Sequence, residues 1–138
     1  MTGRLRFPVE GRIATSLQPE VQPIRVSWLY DPRHSYAVCL VIPSRRKPVS
    51  WVFARELLAD GRLGVEGPGG DVLVSPAADE MYVRIELSSP SGLAALWVND
   101  ADVDRFLTAT YRLVPAGTES SRIDRDRELA DVLTGDQF

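Results

Sequence analysis

His34 is the only histidine in the chain, and it sits in the turn-like string DPRHS. General-base work near neutral pH falls most naturally to imidazole, so a Ser-His-Asp device would have to be built around this residue. No G-x-S-x-G nucleophile elbow occurs anywhere to partner it. The expectation is an exposed loop histidine. The single cysteine, Cys39, lies in the apolar run YAVCLVI and reads as a small buried residue. It has no second thiol to pair with, and one histidine plus one distant cysteine make no zinc set.

The acidic and glycine-rich strings fare no better as catalysts or binding loops. Asp100, Asp102 and Asp104 in NDADVDRF open like a calcium loop, but Arg105 stands where the glycine is required and Tyr111 where the glutamate is. Acids in the first turn of a helix have a structural reason, since they face the positive end of its dipole. GVEGPGGDV lacks the Lys-Ser/Thr of a phosphate loop and is expected to be a hairpin loop between two strands. Arg55 and Glu56 are adjacent, and helical neighbours diverge by about 100°, so they do not converge on one substrate atom. Arg55 is expected to brace a carboxylate elsewhere or to lie at a partner surface. No catalytic, cofactor-binding or metal-binding residues are expected.

What remains is contact chemistry. Arg45, Arg46 and Lys47 form a dense basic cluster between Pro43 and Pro48, read as a solvated hairpin tip whose three charges would suit a nucleic-acid backbone or an acidic partner. Trp51 reads as core, whereas Trp97 ends a strand just before a helix, where an amphipathic ring can anchor a partner. Leu96 and Trp97 point to opposite sides of a strand, so one of them is expected at a subunit or partner interface, and the ring is the better anchor. The candidate interface residues are therefore Trp97, Leu96, Arg55, Arg45 and Arg46.

The elements that must position these groups follow from hydrophobic period. In VSWVFARELLADG, Val49, Trp51 and Phe53 alternate like a strand; then Phe53/Leu57 and Ala54/Leu58 fall four apart, with Gly61 as a helix stop. Trp51, Phe53, Leu57 and Leu58 are expected to be buried together. Upstream, RLRFPVEGRI, PIRVSWLY and YAVCLVI read as strands, with Pro8 implying an edge or a bulge. Downstream, GRLGVEG, DVLVSP, MYVRIEL and LAALWV read as four more, with Ser89-Pro90-Ser91-Gly92 suited to a type I turn. NDADVDRFLTATYRLV then places Val103, Phe106, Leu107, Tyr111 and Val114 on one helical face, capped by Asn99 or Asp100. A last helix is expected near 124–134. The order is four strands and a helix, then four strands and two helices: an α+β fold of two four-stranded antiparallel sheets with helices covering one end.

At 138 residues the chain fits one domain of ordinary soluble composition. No apolar run approaches a membrane span, and MTGRLRFPVEG lacks the features of a signal peptide, so a cytoplasmic location is the default. Residues 1–116 carry 13 Lys+Arg against 13 Asp+Glu, and residues 117–138 carry three against six, which supplies the whole net charge of −3. That balance disfavours a sequence-independent nucleic-acid binder.

The strings YDPRHSYAV (30–38), VSWVFARELLADG (49–61), GPGGDVLVSP (67–76), IELSSPSG (85–92) and VPAGTESSRIDRDREL (114–129) resemble the SsgA-like proteins, the actinobacterial sporulation and cell-division family. The first thirty residues match that pattern poorly, and LAALWVND stands where the family is usually more acidic. The resemblance implies no enzymatic activity and no cofactor. It implies an adaptor in sporulation-specific septation that brings the tubulin-like division protein FtsZ to future septum sites, promotes its assembly and helps tether the ring. An SsgA-type paralogue is an implied partner, homotrimers an implied assembly, and membrane association an indirect one through partners. The implied fold is whirly-like, that of single-stranded nucleic-acid binders. A single-stranded nucleic-acid-binding module is the alternative function, but it needs a positive groove with stacking aromatics, which a charge-balanced body does not favour.

Overall fold

A computed structural model describes residues 3–67 and 70–119 of the chain. Its elements are β1 (Leu5–Thr15), β2 (Gln22–Tyr30), a 3-10 turn at Pro32–His34, β3 (Ala37–Ile42), β4 (Val49–Ala54), α1 (Arg55–Gly61), β5 (Val72–Pro76), β6 (Tyr82–Ser89), β7 (Gly92–Asn99) and α2 (Asp100–Leu113). The helix expected near 124–134 lies outside the described residues.

The expectation of two four-stranded sheets is overturned. The strands form one seven-stranded antiparallel sheet in the order β4-β3-β2-β1-β7-β6-β5, curled into a nearly closed barrel with two helices. Two findings account for the difference. GRLGVEG is not a strand: Gly61 ends α1, and Leu63 and Val65 are exposed, so their alternation has no core to face. The first strand, moreover, is long enough to have two partners. β1 pairs with β2 from Leu5 to Ile13 and with β7 from Gly11 to Thr15, which welds the halves together. The glycine-rich loop accordingly connects α1 to β5 and not one strand to another.

Local chemistry explains how β1 serves both neighbours. Pro8 falls in the stretch paired only with β2, where its missing N–H costs no second ladder. Gly11 stands where the β7 pairing begins, and a Cβ there would lie 2.8 Å from the Trp97 carbonyl oxygen. Only glycine allows that approach without a shift.

Inward residues alternate as the period requires: Val9 on β1; Val26, Trp28 and Tyr30 on β2; Val83, Ile85 and Leu87 on β6; Leu96 and Val98 on β7. β3 is buried almost throughout, Cys39 included, as its continuous apolar run requires. α2 inserts Val103, Phe106 and Leu107 against this face, and Phe106 stacks on Trp28 at 5.6 Å and meets Phe7 edge-on at 5.6 Å. Asn99 caps α2, its side chain accepting from the Ala101 N–H at 2.9 Å. Phe53, Leu57 and Leu58 are buried as expected, while Trp51 is half-buried. Gly61 is not a left-handed stop. It lets α1 press on β5, where an added Cβ would lie 2.5 Å from the Val74 Cβ.

Candidate functional site

The barrel has two unlike ends, and the chemistry-bearing residues divide between them. β2, β4 and β7 each run down into a 3-10 turn or a helix, so the 3-10 turn, α1 and α2 gather at one end. The turns β1–β2, β3–β4 and β6–β7 gather at the other, around a shared cleft.

Arg55 organises the helical end. It is the first residue of α1 and its side chain is 1% exposed, because it shares a helical face with Leu58 and points into the fold. Its Nη1 donates to the Val114 carbonyl at 2.8 Å and reaches the Thr110 Oγ1 at 3.4 Å, while Nη2 donates to the Glu119 carboxylate at 2.6 Å. The guanidinium also lies against the Tyr111 ring at 4.3 Å and the Tyr30 ring at 5.3 Å, a desolvated cation–π setting. Burial pushes the Glu119 carboxyl up, but the Arg55 hydrogen bond, a backbone hydrogen bond and the Arg55 charge overcome this and hold it below the usual range. Arg55 therefore braces a carboxylate, and its expected place on a partner surface is corrected: within the folded chain it is a core group.

Neighbouring segments are tied to the same hub. The Tyr30 hydroxyl donates to the Ser35 carbonyl at 2.9 Å, and the Arg55 N–H donates to the Tyr36 carbonyl at 2.7 Å. Asp31 caps the 3-10 turn through the Arg33 N–H at 2.9 Å and takes ion pairs from Arg4 at 2.8 Å and Arg33 at 2.7 Å. Burial raises the Asp31 carboxyl, yet the Arg33 and Arg4 hydrogen bonds outweigh it and keep it far below an ordinary aspartate. His34 is buried, which corrects the expected exposed histidine; the 3-10 turn folds it under the chain.

The carboxylate triplet is likewise structural. Arg62 grips Asp100 with two hydrogen bonds, 2.8 and 2.9 Å, and approaches Asp104 at 3.6 Å; Asp102 pairs with Arg105. No cluster of metal-ligating side chains occurs among the described residues. Sequence reasoning missed Arg62, Asp31 and Glu119 as partners. Arg55 itself carried a signal, since it lies three residues from Leu58 on one helical face. Glu119, 64 residues away, carried none.

At the other end the side chains face water. Residues 43–48, with Arg45, Arg46 and Lys47, are all exposed. They join Ile42 to Val49, which line a cleft with Ile13, Leu17, Trp51, Leu87 and Leu93. On the outer wall, Trp97 is half-exposed between Arg12 of β1 and Arg84 of β6, with the Arg84 guanidinium 5.8 Å from its ring. Leu96 is fully buried, so alternation puts the ring and not the leucine outside. Sequence order thus placed Trp97, Arg45 and Arg46 on the surface, and the fold puts Leu96 and Arg55 beneath it.

Residues 24–119 match the family described as Streptomyces sporulation and cell division protein, SsgA. The chain is 40% identical over 121 residues to the sporulation-specific cell division protein SsgB of Saccharopolyspora erythraea, covering 86% of this chain and 85% of that protein. It is similar to a crystal structure of an SsgA-like sporulation-specific cell division protein from Thermobifida fusca, with TM-score 0.80 and 34% identity, covering 95% of this chain and 96% of that one. A structure from work linking mutations in SsgB to longitudinal cell division during sporulation of Streptomyces coelicolor gives TM-score 0.72 at 32% identity, covering 86% and 96%.

Proposed function

This chain belongs to the SsgA family of sporulation and cell division proteins, and on that premise we propose that it is a non-catalytic adaptor of sporulation-specific septation. It is SsgB-like over most of its length, and that likeness carries the reading. As an adaptor it recruits FtsZ from the cytoplasm to future septum sites, promotes FtsZ assembly and helps tether the ring. An SsgA-type paralogue is its partner and a homotrimer its working form, since joining several weak sites raises avidity on a polymer. No described helix is long and apolar enough to cross a membrane, so contact with the membrane runs through partners in this reading.

The chemistry of the helical end supports an adaptor over an enzyme. The buried charges there are committed to partners: Arg55 to Glu119, and Asp31 to Arg4 and Arg33, with Arg62 held by Asp100 beside them. Groups held in mutual pairs are poor candidates for moving protons on a substrate. Contact surfaces remain, and the half-exposed Trp97 ring is suited to anchor one. The decisive experiment is co-sedimentation with FtsZ filaments, run beside a single-stranded DNA titration at physiological salt. Co-pelleting with FtsZ and no binding to DNA is the expected result. Salt-sensitive DNA binding without FtsZ co-pelleting would replace the adaptor with a nucleic-acid module.

A further inference from the structure

The turn end of the barrel presents an apolar cleft of about 300 Å³, and no residue lining it is charged. Its rim is unusually apolar for a surface: Leu17 is 92% exposed, Leu93 63% and Val49 45%. A single exposed leucine needs no explanation, but a contiguous set around a concavity marks a contact site. β4 also ends the strand order, so the backbone groups on its outer side have no neighbouring strand. Val49 and Trp51, two apart on that strand, both face the cleft.

Charge selects what fills it. Arg45, Arg46 and Lys47 form the hairpin tip between Ile42 and Val49, and both of those residues line the cleft. Among the described residues, Arg4, Arg25, Arg33, Arg55, Arg62, Arg84 and Arg105 are ion-paired and Arg6, Arg12 and Arg112 are not; the three tip cations are also unpaired, and they stand consecutively beside the cleft. Glu20 and Asp71 are exposed in neighbouring segments, but neither lines the cleft.

We propose that this cleft is a docking site for an extended polypeptide segment of a partner protein, one with bulky apolar residues flanked by carboxylates. The segment adds to the free edge of β4 through backbone hydrogen bonds, seats an apolar side chain beside Trp51 and Leu93, and meets the tip cations with its acids. The uncharged hollow between the rim residues favours such a segment, which can fill it, over a bilayer surface, which would engage only the rim and the cations. Trp97 does not line this cleft, although Leu93 and Ala94 line both it and the adjoining hollow beside Trp97, and the proposal does not depend on the identity of the division partner.

The test is a titration of the full chain with the peptide Asp-Glu-Leu-Val-Phe-Glu-Asp, read by tryptophan emission, against a control with lysine in place of each acid. Sedimentation with phosphatidylserine vesicles and a measurement of oligomeric state run alongside. The acidic peptide is expected to bind and shift the emission, and Trp51→Phe is expected to remove the shift while Trp97→Phe keeps it. Arg45→Glu/Arg46→Glu is expected to weaken binding about tenfold at low salt, and Leu93→Asp by at least as much. Circular dichroism confirms that each variant folds, as expected for the exposed Arg45, Arg46 and Leu93 and for ring-for-ring changes at Trp51 and Trp97. Equal binding of the lysine peptide, no binding at all, or a shift that survives Trp51→Phe overturns the proposal. So does vesicle binding lost in the same variants without a peptide response, which makes the face a membrane contact. A change of oligomeric state in Leu93→Asp also overturns it, making the cleft an interface between copies.

Discussion

The two ends of the barrel use the same residue types for opposite purposes. At the helical end, Arg4, Arg33, Arg55 and Arg62 are paired with carboxylates, and Arg55 is buried between two tyrosines. At the turn end, three consecutive cations stand in solvent beside an uncharged cleft. Burial is what separates the two. A guanidinium taken out of water needs partners for its charge, and Arg55 finds them through Nη1 and Nη2, though not through Nε, so it becomes a structural joint. A solvated cation costs little to leave unpaired and stays available to another molecule. Function is therefore to be sought where stability does not depend on the charge.

Mutations can break this comparison in a definite order. Arg55→Met should have the largest effect, a loss of about 3–5 kcal/mol, because it leaves Glu119 without its counter-charge and the Val114 carbonyl without its donor. A urea midpoint equal to the parent's would show that the hub is not a structural joint. Leu58→Ala, fully buried under the same helix, should cost about 2–5 kcal/mol in the same assay. Gly61→Ala tests the seam between α1 and β5. The added methyl meets Val74 and should cost about 1–3 kcal/mol; a neutral result would mean that α1 moves freely on β5.

Acid should weaken the helical end selectively. Asp31 and Glu119 titrate lower folded than their ordinary values of 3.8 and 4.5. Below those values the unfolded chain binds more protons, so their stabilisation is full above about pH 5 and is lost as pH falls through 4 and beyond. Unfolding midpoints measured across that window should drop, and Asp31→Asn should flatten the drop. An Arg45→Glu/Arg46→Glu protein should keep the parent's slope, and its stability at neutral pH should lie within about 0.5 kcal/mol of the parent's. Trp97→Ala tests assembly more than stability. It should weaken self-association or FtsZ recruitment more than it lowers the melting temperature. A variant that unfolds while its folded fraction assembles normally would remove Trp97 from the interface.

Much of the local structure was legible because it is written in short periods. The alternation in PIRVSWLY, the switch from two to nearly four in VSWVFARELLADG, and the Asn99 cap each depend on neighbours a few residues apart. GRLGVEG misled for the converse reason: Leu63 and Val65 alternate, but alternation makes a strand only when a core and a partner strand receive it. The motif strings that carry the family resemblance also say nothing about distance. YDPRHSYAV, the start of ARELL and the VPAGTE segment are far apart in the chain, and they meet around Arg55.

The sequence by itself determined the alternating inner faces, the two described helices, the surface place of Trp97 and the basic tip, and the family to which the chain belongs. Each of these is a property of residue type at short spacing. The tertiary structure alone decided that the halves form one sheet, since β1 reaches across to β7 from Gly11 onward through pairings 79 to 87 residues apart in the chain. It also decided that Arg55 is a joint and Arg45 is not. The physical reason is that desolvation and pairing depend on what the folded chain brings within about 4 Å of a charge, and no local pattern encodes that distance.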